Sequence, residues 1–162
     1  MTDGTVYHYT YDAAGNITSV TKNNETTAFA TYVYDGLGQL IRENRRELNK
    51  TYVYSYDIDG NILSKTEYAY TIAETPSDAA DTKTYGYSYV NGLYSLTSVN
   101  DGTITYDASG NPLTYYNGMT FTWKDGRKLA SVSGENVSTS YVYNGDGLRT
   151  QKGVLMARIY IQ

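Results

Sequence analysis

Apolar and polar positions alternate along this chain in short runs with a period of two. Tyr9-Thr10-Tyr11, Tyr32-Val33-Tyr34, Tyr54-Ser55-Tyr56 and Tyr141-Val142-Tyr143 each place two rings on one side of an extended strand. The residue between the rings faces the other way, and Val and Thr there are good strand formers. Asp-x-x-Gly, or Asn-x-x-Gly in the last case, follows these rings, and an aliphatic residue then resumes the pattern, as in Asp12-Ala13-Ala14-Gly15-Asn16-Ile17. No stretch carries a helical apolar period. The pattern predicts an all-β chain of antiparallel hairpins.

The hairpins are copies of one phrase: aromatic, x, aromatic, Asp, x, x, Gly, Asn, aliphatic. It starts at Tyr9, Tyr32 and Tyr54, recurs at Ile104 with Pro112 in the aliphatic place, and closes at Tyr141 with Asn144 for the Asp. A shortened copy is Phe121-Thr122-Trp123-Lys124-Asp125-Gly126-Arg127, and a decayed one is Tyr87-Ser88-Tyr89-Val90-Asn91-Gly92-Leu93. The recurring glycines at 15, 38, 60, 110, 126 and 147 are separated by 23, 22, 50, 16 and 21 residues. The long gap holds the decayed copy and a polar insertion over 72–83 that contains Pro76 and reads as a surface loop. The count is seven copies in a single segment, 1–162, with no linker.

Each phrase has a physical reading. An Asp starts an Asx-type turn by accepting backbone N–H groups, and Gly three residues later supplies a positive φ. The structural turn residues are therefore Asp12, Gly15 and Asn16; Asp35 and Gly38; Asp57, Gly60 and Asn61; Asp107, Gly110 and Asn111; and Gly147. Ile17 and Val20 in the return strand are not spaced strictly by two, which leaves room for a bulge. One hairpin is marginal alone, so stacking of the tyrosine faces of neighbours is expected to form a continuous core.

The phrase Tyr-x-Tyr-Asp-x-x-Gly-Asn-Ile resembles the YD repeats of the Rhs/YD-repeat family, which includes bacterial toxin-complex proteins and animal teneurins. The copies at 9–20, 32–42, 54–65, 104–113 and 141–152 carry it best. The resemblance implies a curved antiparallel ribbon forming a segment of a β-shell. In such proteins the shell encloses a toxin domain located elsewhere, or serves adhesion and glycan contact. It also implies an exported, secreted or cell-surface parent, with flanking repeats and a toxin domain as partners in the same chain. The family's self-cleavage region is marked by an Asp-Pro pair; none occurs here, so that activity is not carried over. The last residues, 154–162, leave the pattern and read either as the start of a further strand or as a truncation remnant.

Composition sharpens this picture. Twenty of 162 residues are tyrosine, about half of them in the paired ring positions, so the excess is largely a product of copying one hairpin. Thirteen basic and seventeen acidic residues give a net charge of −4 without a clustered basic stretch, which argues against a nucleic-acid surface. The absence of cysteine removes disulfides, thiolate metal sites and Cys nucleophiles. No apolar run is long enough to span a bilayer, and neither a basic nor an apolar leader region follows Met1, so no membrane insertion and no signal peptide are expected within the sequence.

Candidate chemistry is sparse. Asp57-x-Asp59-Gly60 opens like a calcium loop, but Ile62 and Tyr68 stand where Gly and Glu are needed, and the turn reading is preferred. Glu74, Asp78 and Asp81 of the insertion read as solvated. His8 is the single histidine and has no accompanying nucleophile motif, so no catalytic residue, metal or cofactor is assigned. Tyr94, Tyr115 and Tyr116 lie outside the ring positions of the phrase and are the candidate ligand-contact residues. The leading expectation is a non-enzymatic structural scaffold. The alternative is a module that binds glycans or a cell-surface partner through exposed rings and the 72–83 loop. Two unpaired sheet edges also predict edge-to-edge association.

Overall fold

Six of the seven phrases begin a hairpin whose two strands pair over several residues. The computed structural model describes residues 4–154. By contact clustering these divide between Thr84 and Tyr85 into two compact units. In the first, β1 (Tyr7–Tyr11) pairs with β2 (Ile17–Lys22), β3 (Ala30–Tyr34) with β4 (Leu40–Arg45), and β5 (Lys50–Tyr56) with β6 (Ile62–Ala69). Successive hairpins join side by side, β2 to β3 and β4 to β5, in antiparallel register. A 3-10 turn, Arg46–Leu48, links β4 to β5 and ends at Asn49 with φ of 53°.

Strand β7 (Asp81–Val90) crosses the boundary: Asp81–Thr84 pair with β6, and residues from Tyr85 onward pair with β8 (Leu93–Val99). The second unit continues with β9 (Gly102–Thr103), β10 (Thr120–Lys124), β11 (Lys128–Gly134), β12 (Val137–Tyr143) and β13 (Arg149–Val154). The phrase at Ile104 is reduced to a single bridge, Tyr106 to Pro112; beyond it the Thr105 N–H donates to the Thr114 hydroxyl at 3.1 Å. The 72–83 insertion is loop only as far as Ala80; Asp81, Thr82 and Lys83 already face Glu67, Thr66 and Lys65 as strand. Val154 pairs with Thr139 at the end of β13, and 155–162 lie outside the described residues.

The spacing of Ile17 and Val20 is explained by a bulge. The register slips by one residue between Thr10 and Tyr11, and again at Val33/Tyr34, Ser55/Tyr56, Thr122/Trp123 and Val142/Tyr143. In each case the extra residue is the one after the residue that pairs with the pre-turn ring: Thr18, Ile41, Leu63, Ala130 or Thr150. The bulge is thus a part of the repeat.

The core differs from the expectation of stacked tyrosine faces. The buried residues are small: Val20, Ala30, Asn44 and Thr51 in the first unit, and Val99, Ile104, Asn111, Val132 and Thr139 in the second. Hairpins meet edge to edge, so the rings cover neighbouring strands and remain half-buried or exposed. In the first unit the row Tyr32–Glu43–Tyr52–Glu67 runs across four strands and alternates rings with carboxylates. Lysines cover this face, with the Lys65 ammonium 4.2 Å from the Tyr52 ring centre and Lys50 paired to Glu67 at 2.7 Å.

Candidate functional site

The repeated turn is built from one carboxylate and one amide. Asp57 Oδ1 accepts the backbone N–H groups of Asp59 (3.0 Å) and Asn61 (2.8 Å), and Oδ2 accepts the Asn61 side-chain amide at 2.9 Å. The backbone closes the same loop from Asp57 N–H to the Asn61 carbonyl and from Gly60 N–H to the Asp57 carbonyl. Asp12 with Asn16, Asp35 with Gln39, and Asp107 with Asn111 repeat this arrangement. Gly15, Gly38, Gly60, Gly110 and Gly147 all have φ between 78° and 88°. The amide bonds hold all four carboxyls below their ordinary pKa, the side-chain amide being the largest cause for Asp12, Asp57 and Asp107 and the Gln39 backbone for Asp35. In the last copy Asn144 replaces Asp and Leu148 replaces the amide; Asn144 Oδ1 accepts the Leu148 N–H at 2.9 Å. A carboxylate therefore accompanies an amide partner, and the neutral Asn accompanies its absence.

The phenol just before the turn joins one hairpin to the preceding one. Tyr34 donates to the Ile17 carbonyl (3.0 Å), Tyr56 to Leu40 (2.7 Å) and Tyr106 to Leu96 (2.6 Å). Trp123 does the same with its indole N–H, to Pro112 at 2.7 Å. Burial raises the pKa of all three phenols. This bond was not foreseen, although a signal for it exists. The ring immediately before the turn is always Tyr or Trp, both donors, whereas the ring two earlier is replaced by Phe121 or Ile104.

The candidate contact residues fall in two places. Tyr94 lies directly opposite Tyr89 near the tip of the β7–β8 hairpin, ring centres 5.2 Å apart, with Tyr89 76% exposed and Tyr94 46%. That tip is a two-residue Asn91-Gly92 turn with both φ values positive, the mirror-type turn this pair favours, and not a decayed Asp-x-x-Gly turn. Tyr115 stands where other copies have Asp: its N–H donates to the Met119 carbonyl, and the Gly118 N–H donates to the Tyr115 carbonyl. Tyr116 is half-buried and its backbone packs directly on Gly102, leaving no room for a side chain there. The rings of Tyr115 and Tyr116 are 4.7 Å apart.

The insertion builds a third feature. Residues 71–76 fold back on the sheet face that carries Val33, Arg42 and Val53 in one cross-strand row. Arg42 holds them, donating from Nη2 to the Thr71 carbonyl (2.7 Å) and from Nη1 to those of Ala73 (2.6 Å) and Glu74 (3.2 Å). Its Nε–H bonds Asn44 Oδ1 at 2.9 Å. Thr51, with no exposed surface, accepts the Thr71 N–H at 3.1 Å. Sequence reasoning missed Arg42, since nothing in the phrase distinguishes it from any strand arginine. Among the described residues, no group of three or more His, Asp or Glu side chains is placed to hold a metal ion, and His8 is exposed on β1 opposite Thr21.

Residues 2–27 match the family model for the RHS repeat. The chain carries the RHS repeat. Over 95% of its length it is 34% identical to the tRNA3(Ser)-specific nuclease WapA of Bacillus spizizenii. Over 89% it is 28% identical to toxin subunit YenC1 of Yersinia entomophaga. It spans 7% and 18% of those two proteins, so it corresponds to a small part of each. Its fold is similar to part of a Photorhabdus luminescens Tc holotoxin pore structure, with a TM-score of 0.61 at 22% identity over 90% of this chain and 8% of that one. The TcdB2–TccC3 crystal structure gives 0.62 at 22% identity, over 91% and 9%. The RHS repeat is in this chain a hairpin with a carboxylate–amide turn, a bulge and, in four copies, a ring N–H or O–H donated backward.

Proposed function

We propose that this chain is a passive scaffold: a segment of wall in a larger exported RHS-repeat protein, whose toxin domain lies elsewhere in the parent and is enclosed or presented by the wall. The observation that carries the reading is the recurring bond from each pre-turn ring to the backbone of the preceding hairpin, added to strand pairing. It ties repeats to one another. The proteins named as a tRNA nuclease and a toxin subunit support the parent's class. Chemistry in such a parent belongs to another domain, and this segment is not an enzyme.

The test is protection. Removing residues 4–154 from the parent protein is expected to speed protease cleavage of its toxin domain. Unchanged protection would refute enclosure by this segment.

A second reading, contact with a glycan or cell-surface partner, is favoured by the exposed Tyr89–Tyr94 pair. A glycan-array signal lost on Tyr94→Ala with folding intact would support it; no signal on any glycan would refute its glycan form.

A further inference from the structure

Three Asn-Gly pairs occur in the chain: Asn91-Gly92, Asn117-Gly118 and Asn144-Gly145. All six residues are exposed, and each pair lies in a loop. Such a pair has its own chemistry. The backbone nitrogen of the glycine can attack the asparagine carboxamide carbon, because glycine brings no side chain to obstruct the approach. The reaction needs a nitrogen free to attack, a polarised carbonyl, and an amide nitrogen free to leave as ammonia. Hydrogen bonds decide which pair has all three.

At Asn91 the leaving amide is held, since Nδ2 donates to the Asp107 carbonyl at 2.9 Å. At Asn117 the nucleophile is held: the Gly118 N–H donates to the Tyr115 carbonyl at 3.0 Å. Asn117 Oδ1 does accept the Met119 N–H, but at a long 3.3 Å. Asn144 differs on every count. Its Oδ1 accepts the Leu148 N–H at 2.9 Å, and among the described residues neither its Nδ2 nor the Gly145 N–H donates to a partner. The Leu148 N–H is aimed at the oxygen on which negative charge collects as the ring closes, the role of an oxyanion-hole donor. The same bond folds the carboxamide over the loop that starts at Gly145. Gly145 has no positive φ, and the space where a β-carbon would stand is open, so water reaches the loop from that side.

We propose that Asn144 is a self-modification site, cyclising onto Gly145 ahead of Asn91 and Asn117 and hydrolysing to an acidic residue. The Gly145 nitrogen gives its proton to solvent base and bonds to Asn144 Cγ; the Cγ–Nδ2 bond breaks, and ammonia leaves with a proton. Water then opens the succinimide. Attack at Cγ gives aspartate, the residue that Asp12, Asp35, Asp57 and Asp107 supply in the other turns. Attack at the main-chain carbonyl gives isoaspartate, which adds a methylene to the main chain where the Asn144 and Gly147 N–H groups close the loop. Either product adds a negative charge to the β12–β13 hairpin. Water is the sole co-reactant, and the chemistry is independent of the wall reading.

The test incubates the full chain in mildly alkaline buffer made with heavy-oxygen water and follows each site by peptide mass spectrometry. A hydrolysed site takes up one heavy oxygen, and fragmentation assigns it. Asn144 is expected to convert about tenfold faster than Asn91 or Asn117, the rate effect of one well-placed hydrogen bond. In concentrated urea the three rates should converge, since the pair is the same at each site. Gly145→Val, at a position with ordinary φ and open space, is expected to suppress conversion at residue 144 and leave the other two sites unchanged. Equal rates in the folded chain, faster conversion at Asn91 or Asn117, an unchanged order in urea, or undiminished conversion in the Gly145→Val chain would each overturn the proposal.

Discussion

The phenol of Tyr56 donates a 2.7 Å hydrogen bond to the backbone carbonyl of Leu40, the residue that opens the return strand of the preceding hairpin. The same link joins Tyr34 to Ile17, and Trp123 makes it to Pro112 with a different donor. An edge-paired hairpin chain has little apolar interior, and the buried residues here are small. A directional bond from a half-buried ring supplies both coverage and register between repeats.

Removing that hydroxyl should therefore cost stability where it has a partner and nothing where it has none. Tyr56→Phe is expected to lower unfolding free energy by about 1 kcal/mol, leaving the Leu40 carbonyl short of a donor. Tyr11 holds the equivalent position in the first copy, is 59% exposed, and makes no such bond among the described residues. Tyr11→Phe should be neutral. Urea denaturation of the two variants decides it; equal losses would show that the bond contributes nothing beyond ring packing.

The turn carboxylates and linking phenols together set a pH window. Asp12, Asp35, Asp57 and Asp107 have lowered pKa values, so their contribution is full above the unfolded value near 4 and is lost as pH falls through the folded value. Tyr34, Tyr56 and Tyr106 have raised values, so their contribution is full below about 10 and is lost as pH rises further. Thermal midpoints should form a plateau between those limits and fall on both sides. Replacing all four aspartates by Asn should flatten the acid limb and leave the alkaline limb in place. An unaltered acid limb would show that other carboxylates govern it.

Much of this architecture was legible in the sequence, and the reasons are local. Tyr54-Ser55-Tyr56-Asp57 followed by Gly60-Asn61 encodes strand, turn and return strand within a dozen residues, and the pairing follows. What escaped was long-range or concealed by similarity to the repeat. Arg42 acts on carbonyls about thirty residues away, which no local pattern encodes. Asn91-Gly92 resembled a damaged copy of the repeat turn but is a different and tighter turn. Tyr115 was set apart as an irregular ring, yet the backbone from Tyr115 to Met119 forms the repeat's turn without its carboxylate. Stacking of hairpin faces would bury the tyrosines as a core; side-by-side pairing instead leaves them half-buried, as at Tyr56, or exposed, as at Tyr89.

Gly60 tests the turn itself. Its φ of 84° disfavours any side chain, and a β-carbon there would also lie 3.4 Å from Gln39 Oε1 of the preceding turn. Gly60→Val is expected to destabilise by ~1–3 kcal/mol. Gly36 lacks a positive φ and has open space around it, so Gly36→Val should cost much less. Comparable thermal shifts in the two variants would disprove the assignment of strain to the positive-φ position.

Arg42 tests the insertion's anchor. Its fork reaches three carbonyls and Asn44 at once, a geometry a lysine ammonium cannot reproduce. Arg42→Lys keeps the charge, so any effect reports the loss of that fork. Losing one net hydrogen bond of about 1.4 kcal/mol would raise local opening roughly tenfold. The amides of Thr71 and Ala73 report it directly, because they bond Thr51 and Thr71 hydroxyls within the anchored segment. Their hydrogen exchange should quicken by about that factor, while amides in the β1–β2 hairpin, which does not touch the insertion, keep their wild-type rates. Accelerated exchange in both places would mean that Arg42 supports the whole sheet; no acceleration in either would mean that the insertion holds its position without the guanidinium.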